Sequence, residues 1–125
     1  MKFQLMQGGR ICKSFKADCV VRSISFVLNQ SYDSTFTALM NLGMEMGAYP
    51  SHDKVWIRYL EESGFVKNKP PRDSAGKLIK LRDWEAPKLR AVARNSRHLT
   101  AVVDGYCVDE WDCTYRPVNS YWAKP

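Results

Sequence analysis

The dipeptide Asp104-Gly105 lies between two apolar runs, residues 99–103 and 106–108, and restricts the chain more tightly than any other stretch. A two-residue type I′ turn needs positive φ at both central positions, which Asp and Gly tolerate, so this spacing predicts a β-hairpin. With that loop Val103 faces Tyr106, Thr100 faces Asp109, and His98 faces Trp111. Side chains alternate along a strand, so His98, Thr100, Val102, Cys107, Asp109 and Trp111 share one face. Leu99, Ala101, Val103, Tyr106, Val108 and Glu110 share the other. An imidazole and a carboxylate thus come within one diagonal step, whereas Asp112 points away if the strand stays regular.

The chain ahead of the hairpin has helical periodicity. Asp18 is a plausible N-cap, and Val20, Val21, Ile24, Val27 and Leu28 follow at the spacing of a core-facing stripe that ends near Asn29. A second helix is expected from Ser31 or Asp33, burying Phe36, Leu39, Met40 and Met44 and stopped by Gly47 and Pro50. Ser51 or Asp53 can cap a third, with Val55, Trp56, Tyr59 and Leu60 inside and Gly64 at its end, and His52 as a solvated neighbour of the cap. Short strands are expected at 3–6, 78–81, 89–93 and 117–122, with a loop over residues 8–17. Helices first and strands afterwards make an α+β architecture, with N-terminal helices packed on a C-terminal antiparallel sheet.

At 125 residues, 45% of them hydrophobic, the chain suffices for one domain with its own core, spanning 1–125. No apolar run approaches the roughly 20 residues of a membrane span, and the opening MKFQLMQGGR lacks a secretory signal's apolar segment, so a cytosolic place is expected. Cys12, Cys19, Cys107 and Cys113 form no C-x-x-C pair, so reduced thiols are expected and neither a metal nor a cofactor is called for. A zinc site from Cys107, Cys113 and His98 is geometrically poor, because Cys113 lies beyond the paired strands and a fourth ligand is not evident.

The formal charge of +6 is concentrated in one place. Residues 67–97 hold ten Lys/Arg against three Asp/Glu, while the rest of the chain is nearly balanced. Residues 67–88 read as a basic loop or insertion by their paired prolines, Gly76 and charges. That segment is either a solvated, flexible face or a footprint for an anionic partner, nucleic acid or an acidic protein, built on Lys77, Lys80, Arg82 and Lys88. Trp84 is its one aromatic available to stack on a base.

Cys19 is the candidate nucleophile. A thiol reacts as thiolate, and a helix N-terminus carries roughly half a positive charge that favours the anion. The alternative for Cys19 is a small buried hydrophobe, the usual place of a free cysteine. His98 with Asp109 on its face is half of a nucleophile-activating group: the carboxylate fixes the imidazole's tautomer and stabilises the imidazolium.

A Cys at a helix start, a His opening a strand and an acid followed by x-Trp on the partner strand, here Asp109-Glu110-Trp111, resemble papain-like cysteine peptidases. That family has Asn-x-Trp at the third position, so Asp109 stands where Asn is usual, and the resemblance implies that Trp111 walls the site. In size the chain is similar to the bacteriocin-processing peptidases. DCVVRSIS with SRHLTAVVDG and DEWD resembles small papain-like proteins encoded by bacteriophages, over roughly residues 17–63 and 88–122. What the resemblance implies is a Cys19–His98–Asp109 triad acting on a peptide or isopeptide bond, with a peptide or protein, including a host protein, as substrate. The family also carries a Gln about six residues before the nucleophile. Here Cys12, Lys13 and Ser14 occupy that neighbourhood, which leaves Gln7 as the oxyanion candidate. One such donor is typically worth about 10²–10³ in rate. Its absence allows a second expectation, an inactive papain-like scaffold that captures a host protein or nucleic acid through the basic segment.

Overall fold

The computed structural model describes residues 1–8, 18–85, 88 and 90–125. The loop expected at 8–17, apart from Gly8, lies outside the described residues, as do Cys12 and Leu89. In chain order the described elements are β1 (Lys2–Leu5), α1 (Cys19–Leu28), α2 (Tyr32–Met46), α3 (Asp53–Glu62), β2 (Val66–Asn68), β3 (Arg90–Asn95), β4 (His98–Val103), β5 (Tyr106–Asp109) and β6 (Ser120–Ala123). The strands form one six-stranded sheet in the order β1-β5-β4-β3-β6-β2. The architecture is therefore α+β, but the sheet is mixed rather than antiparallel. β1 runs parallel to β5, pairing Lys2 with Tyr106 through to Leu5 with Asp109. None of the described helices is long and apolar enough to cross a membrane.

The hairpin register is the expected one. Val103 pairs with Tyr106, and both Asp104 and Gly105 have positive φ, 51° and 86°. Alternation divides the buried residues as the spacing predicts. Leu99, Ala101 and Val108 join Ile24, Leu39, Val55, Trp56, Leu60 and Trp122 in a core between sheet and helices. Val102, Cys107, Ala91 and Ala93 join Leu81, Trp84, Cys113 and Val118 on the opposite face. Trp56 meets Trp122 edge to face, with centroids 4.8 Å apart, a geometry that complements the ring quadrupoles.

Helix α1 ends where expected, at Asn29 in the left-handed conformation. Asp18 occupies the N-cap position, yet its carboxylate caps no first-turn amide; it bonds Arg22 and the Tyr32 hydroxyl instead. Helix α2 is capped by Ser31, whose side chain accepts from the Ser34 amide. Its buried stripe is Tyr32, Thr35, Leu39 and Gly43; of the expected residues Leu39 is buried and Phe36 half-buried against the core. Met40 and Met44 are exposed because the stripe follows Gly43, where a Cβ would sit 2.5 Å from the Ala48 carbonyl oxygen. On α3 the cap is His52 itself, its Nδ1 accepting from the Lys54 amide, and Val55, Trp56 and Leu60 are buried while Tyr59 is half-buried.

The basic segment differs from the expected flexible loop. Leu78 bridges to Arg72 and Lys80 to Pro117 without forming the expected strand at 78–81, and a 3₁₀ turn follows at Leu81–Asp83. Backbone amides of Leu81 and Arg82 bond the carbonyls of Arg116 and Thr114, which ties the segment down. Leu81 and Trp84 are buried beneath it. Trp84 packs on Tyr121, with centroids 4.9 Å apart, and is therefore not free to stack on a base. The driving term is apolar burial, and the charges stay outside.

Candidate active site

Three elements converge at one end of the sheet. Helix α1 begins at Cys19, β4 begins at His98, and β5 ends at Asp109. Nε2 of His98 lies 2.7 Å from Oδ2 of Asp109, the pairing that the hairpin register predicts. That bond fixes the tautomer, leaving Nδ1 to exchange a proton with a thiol. Cys19 is the half-exposed thiol among those described, at the start of α1, close enough to the His98 ring and the Leu99 backbone for both to favour its thiolate. Burial alone would raise the Cys19 thiol. The bonds from His98 and Leu99, with the positive charges of His98 and Arg22, outweigh burial and hold it below its ordinary value. Burial would likewise lower His98, but the Asp109 bond, the Cys113 and Cys19 thiols and the Asp109 charge raise it to about 11. Both shifts favour the thiolate–imidazolium form of the pair over the neutral one.

Asp109 is 2% exposed and still ionised. Burial pushes its carboxyl up, while bonds from His98 and Thr100, the His98 charge and the Glu110 amide at 2.7 Å push it down and prevail. Arg22 reaches the same carboxylate from α1, its Nη2 3.3 Å from Oδ1. It also bonds Asp18 and lies 3.2 Å from Glu110. This guanidinium, 3% exposed, was not evident from periodicity, because it stands within the same turn as the apolar stripe it accompanies. The only available signal was an Arg three residues after the cysteine in DCVVRSIS. Gly8 makes room for it: with φ at 77°, a Cβ there would meet Arg22 Cγ at 3.0 Å.

Trp111 packs on His98 with ring centroids 4.7 Å apart and carries the Arg116 guanidinium 5.0 Å from its own centroid. It walls the ring, as expected. Asp112 is the wrong acid: its carboxylate accepts from the amide and hydroxyl of Thr114. Gln7 is exposed, and no contact joins its side chain to Cys19 among the described residues. Its neighbour Met6 donates its amide to the Asp109 carbonyl at 2.8 Å, so this segment braces the acid. Lys77, Lys80, Arg82 and Lys88 are exposed on the basic segment and take no part in this group.

Cys113 departs from expectation. The chain after β5 turns back, placing its sulfur 3.7 Å from Cys107 Sγ and 3.6 Å from Asp109 Oδ2. Its bond to Cys113, then burial, pushes the Cys107 thiol up. Donor atoms of His98, Asp109 and Cys113 all lie within 4.8 Å of one another. Cys113 therefore lies beside the ring after all, but this group holds three donors and does not include Cys107. An ion held there would occupy the ring and carboxylate that otherwise handle the Cys19 proton.

No family model, curated protein or solved structure matches this chain.

Proposed function

We propose that the protein is a papain-like thiol hydrolase acting on a peptide or isopeptide bond. The observation that carries this is one imidazole bonded to the Asp109 carboxylate at 2.7 Å and, beside it at the start of a helix, a half-exposed thiol whose anion that ring favours. The Cys19 thiolate attacks the carbonyl carbon, forming a C–S bond and an oxyanion. The Cys19 backbone amide, in the first turn and therefore without a helical partner, is placed to donate to that oxyanion. His98 gives its proton to the leaving nitrogen as the C–N bond breaks, then takes one from water as the thioester is hydrolysed and the thiolate leaves. Asp109 orients the ring throughout, and Arg22 is a positioning residue that acts through Asp109. The resemblance to small phage-encoded papain-like proteins makes a protein of the host cell a fitting substrate.

The test uses p-nitrophenyl acetate in a Cys12→Ser background. Acetyl-Cys19 should form and turn over, and forming it should slow about 100-fold or more in His98→Ala, within the range of one general base. Equal acetylation with and without His98, or none at Cys19, would overturn the proposal.

A further inference from the structure

Beside the nucleophile lies a cleft of about 180 Å³ lined by Cys19, Val20, Ser51, Asp53, Trp56, Arg94, Arg97 and Leu99. It is too small for a cofactor, for which several hundred Å³ is usual, and suits one side chain. Its charges are not balanced. Asp53 is fully engaged, its two oxygens taking Arg94 Nη1 at 3.0 Å and Trp56 Nε1 at 3.2 Å. Arg94 is held further by the Ser96 carbonyl at 3.1 Å. Arg97 is exposed and has no ion pair among the described residues. It occupies the β3–β4 turn immediately before His98, and that turn is pinned by the Ser96 amide on Asn119 Oδ1 at 2.5 Å. One guanidinium without an ion pair among the described residues thus lines, together with Cys19, a cleft whose one lining carboxylate is already bonded.

We infer that this cleft binds a carboxylate of the substrate, with Arg97 as the specificity-determining residue, so that bonds flanked by an acidic group are preferred. The inference rests on Cys19 being the nucleophile, and two alkylating probes separate the two claims. Iodoacetamide is neutral and reports the thiolate. Iodoacetate is nearly the same size and carries the charge that Arg97 would attract. Arg97→Glu should lower the iodoacetate-to-iodoacetamide rate ratio at Cys19 about three- to tenfold at low salt, the iodoacetamide rate of each protein serving as its own reference for the thiolate. Lys124→Glu makes the same change in net charge at the far end of the sheet and should leave the ratio alone. An unmoved ratio in Arg97→Glu, or an equal fall in Lys124→Glu, overturns the inference while leaving the hydrolase proposal standing. Failure of iodoacetamide to label Cys19 overturns both. Peptides then identify the carboxylate's source. Cleavage of amidated peptides carrying Glu over Gln, lost in Arg97→Glu, assigns an acidic side chain. The same dependence confined to peptides with a free C-terminus assigns the terminal carboxylate, and dependence in neither set overturns the inference.

Discussion

Two charged regions of this molecule carry their charges in opposite ways. At the end of the sheet Asp18, Arg22 and Asp109 are buried and bonded to one another, and the half-buried His98 completes the group. Along residues 69–85 the order is reversed: Leu81 and Trp84 are buried, and Lys77, Lys80 and Arg82 face water. Taking a charge out of water costs several kcal/mol unless a partner compensates, so the first arrangement persists only with its partners in place. Exposed cations need no compensation. Charge density along a sequence therefore says little about chemistry, and a single buried arginine says more.

The sharpest way to break this contrast is to remove one anchor from each region. Arg22→Met removes the guanidinium that Asp18 and Asp109 share, leaving His98 on Asp109 and the Tyr32 hydroxyl on Asp18. It should cost about 3–5 kcal/mol in urea unfolding and raise the pH at which Cys19 becomes reactive to iodoacetamide. Trp84→Ala should cost about 3 kcal/mol, as large aromatic truncations in cores do, yet leave that pH profile where it was. If both variants shift the profile alike, Arg22 acts on Cys19 only through general stability, and its positioning role is lost.

Much of this was legible beforehand because it is local. The Asp104-Gly105 turn, the period-two faces and the Val20-Val21-Ile24-Val27 stripe depend on residues a few positions apart, and all appear as expected. What was hidden depends on distant partners. The strand expected at 3–6 is found at Lys2–Leu5, but its parallel pairing with β5, over a hundred residues away, has no local signal. Arg22 reads as a break in an apolar stripe until Asp109 arrives from the other end of the chain. Met40 and Met44 read as core because helical spacing alone does not reveal that Gly43 faces the close contact. Trp84 reads as surface because charged residues surround it in sequence, although strands from elsewhere cover it in space.

A smaller effect follows from proton linkage. Taken alone, the raised His98 stabilises fully below about pH 6.5, its ordinary value, and that contribution is lost as pH rises to about 11. The lowered Cys19 does the converse, stabilising fully above its ordinary 9.0 and losing this as pH falls through its folded value. Between the folded Cys19 value and about 9 the two offset, because folding moves one proton from thiol to imidazole without changing the number bound. Above 9 the unfolded thiol has already ionised while folded His98 keeps its proton until about 11, so the folded state binds one more. Stability should therefore fall from pH 9 to 11 more steeply in the wild-type protein than in His98→Gln. Parallel urea midpoints for the two proteins across that window would mean that no ion pair joins Cys19 and His98.

The smallest effect belongs to the basic segment. Replacing Lys77, Lys80, Arg82 and Lys88 together by Gln removes four exposed positive charges and no buried contact of Leu81 or Trp84. Surface changes of this kind usually stay within about 0.5 kcal/mol each, so the urea midpoint should hardly move, and Cys19 should react as before. The same variant decides between the two uses of the segment. A footprint on nucleic acid would give wild-type affinity for single-stranded DNA that falls steeply with salt, losing about 0.7 of a unit of log–log slope for each phosphate contact removed. With Trp84 packed on Tyr121, no aromatic of this segment adds salt-independent stacking to that affinity. The expected outcome is weak binding with the same slope in both proteins, which keeps the segment a solvated face over an apolar anchor. A slope that flattens by about three in the variant would instead give these exposed charges a partner, and the two regions would then differ in what they bind rather than in whether they bind.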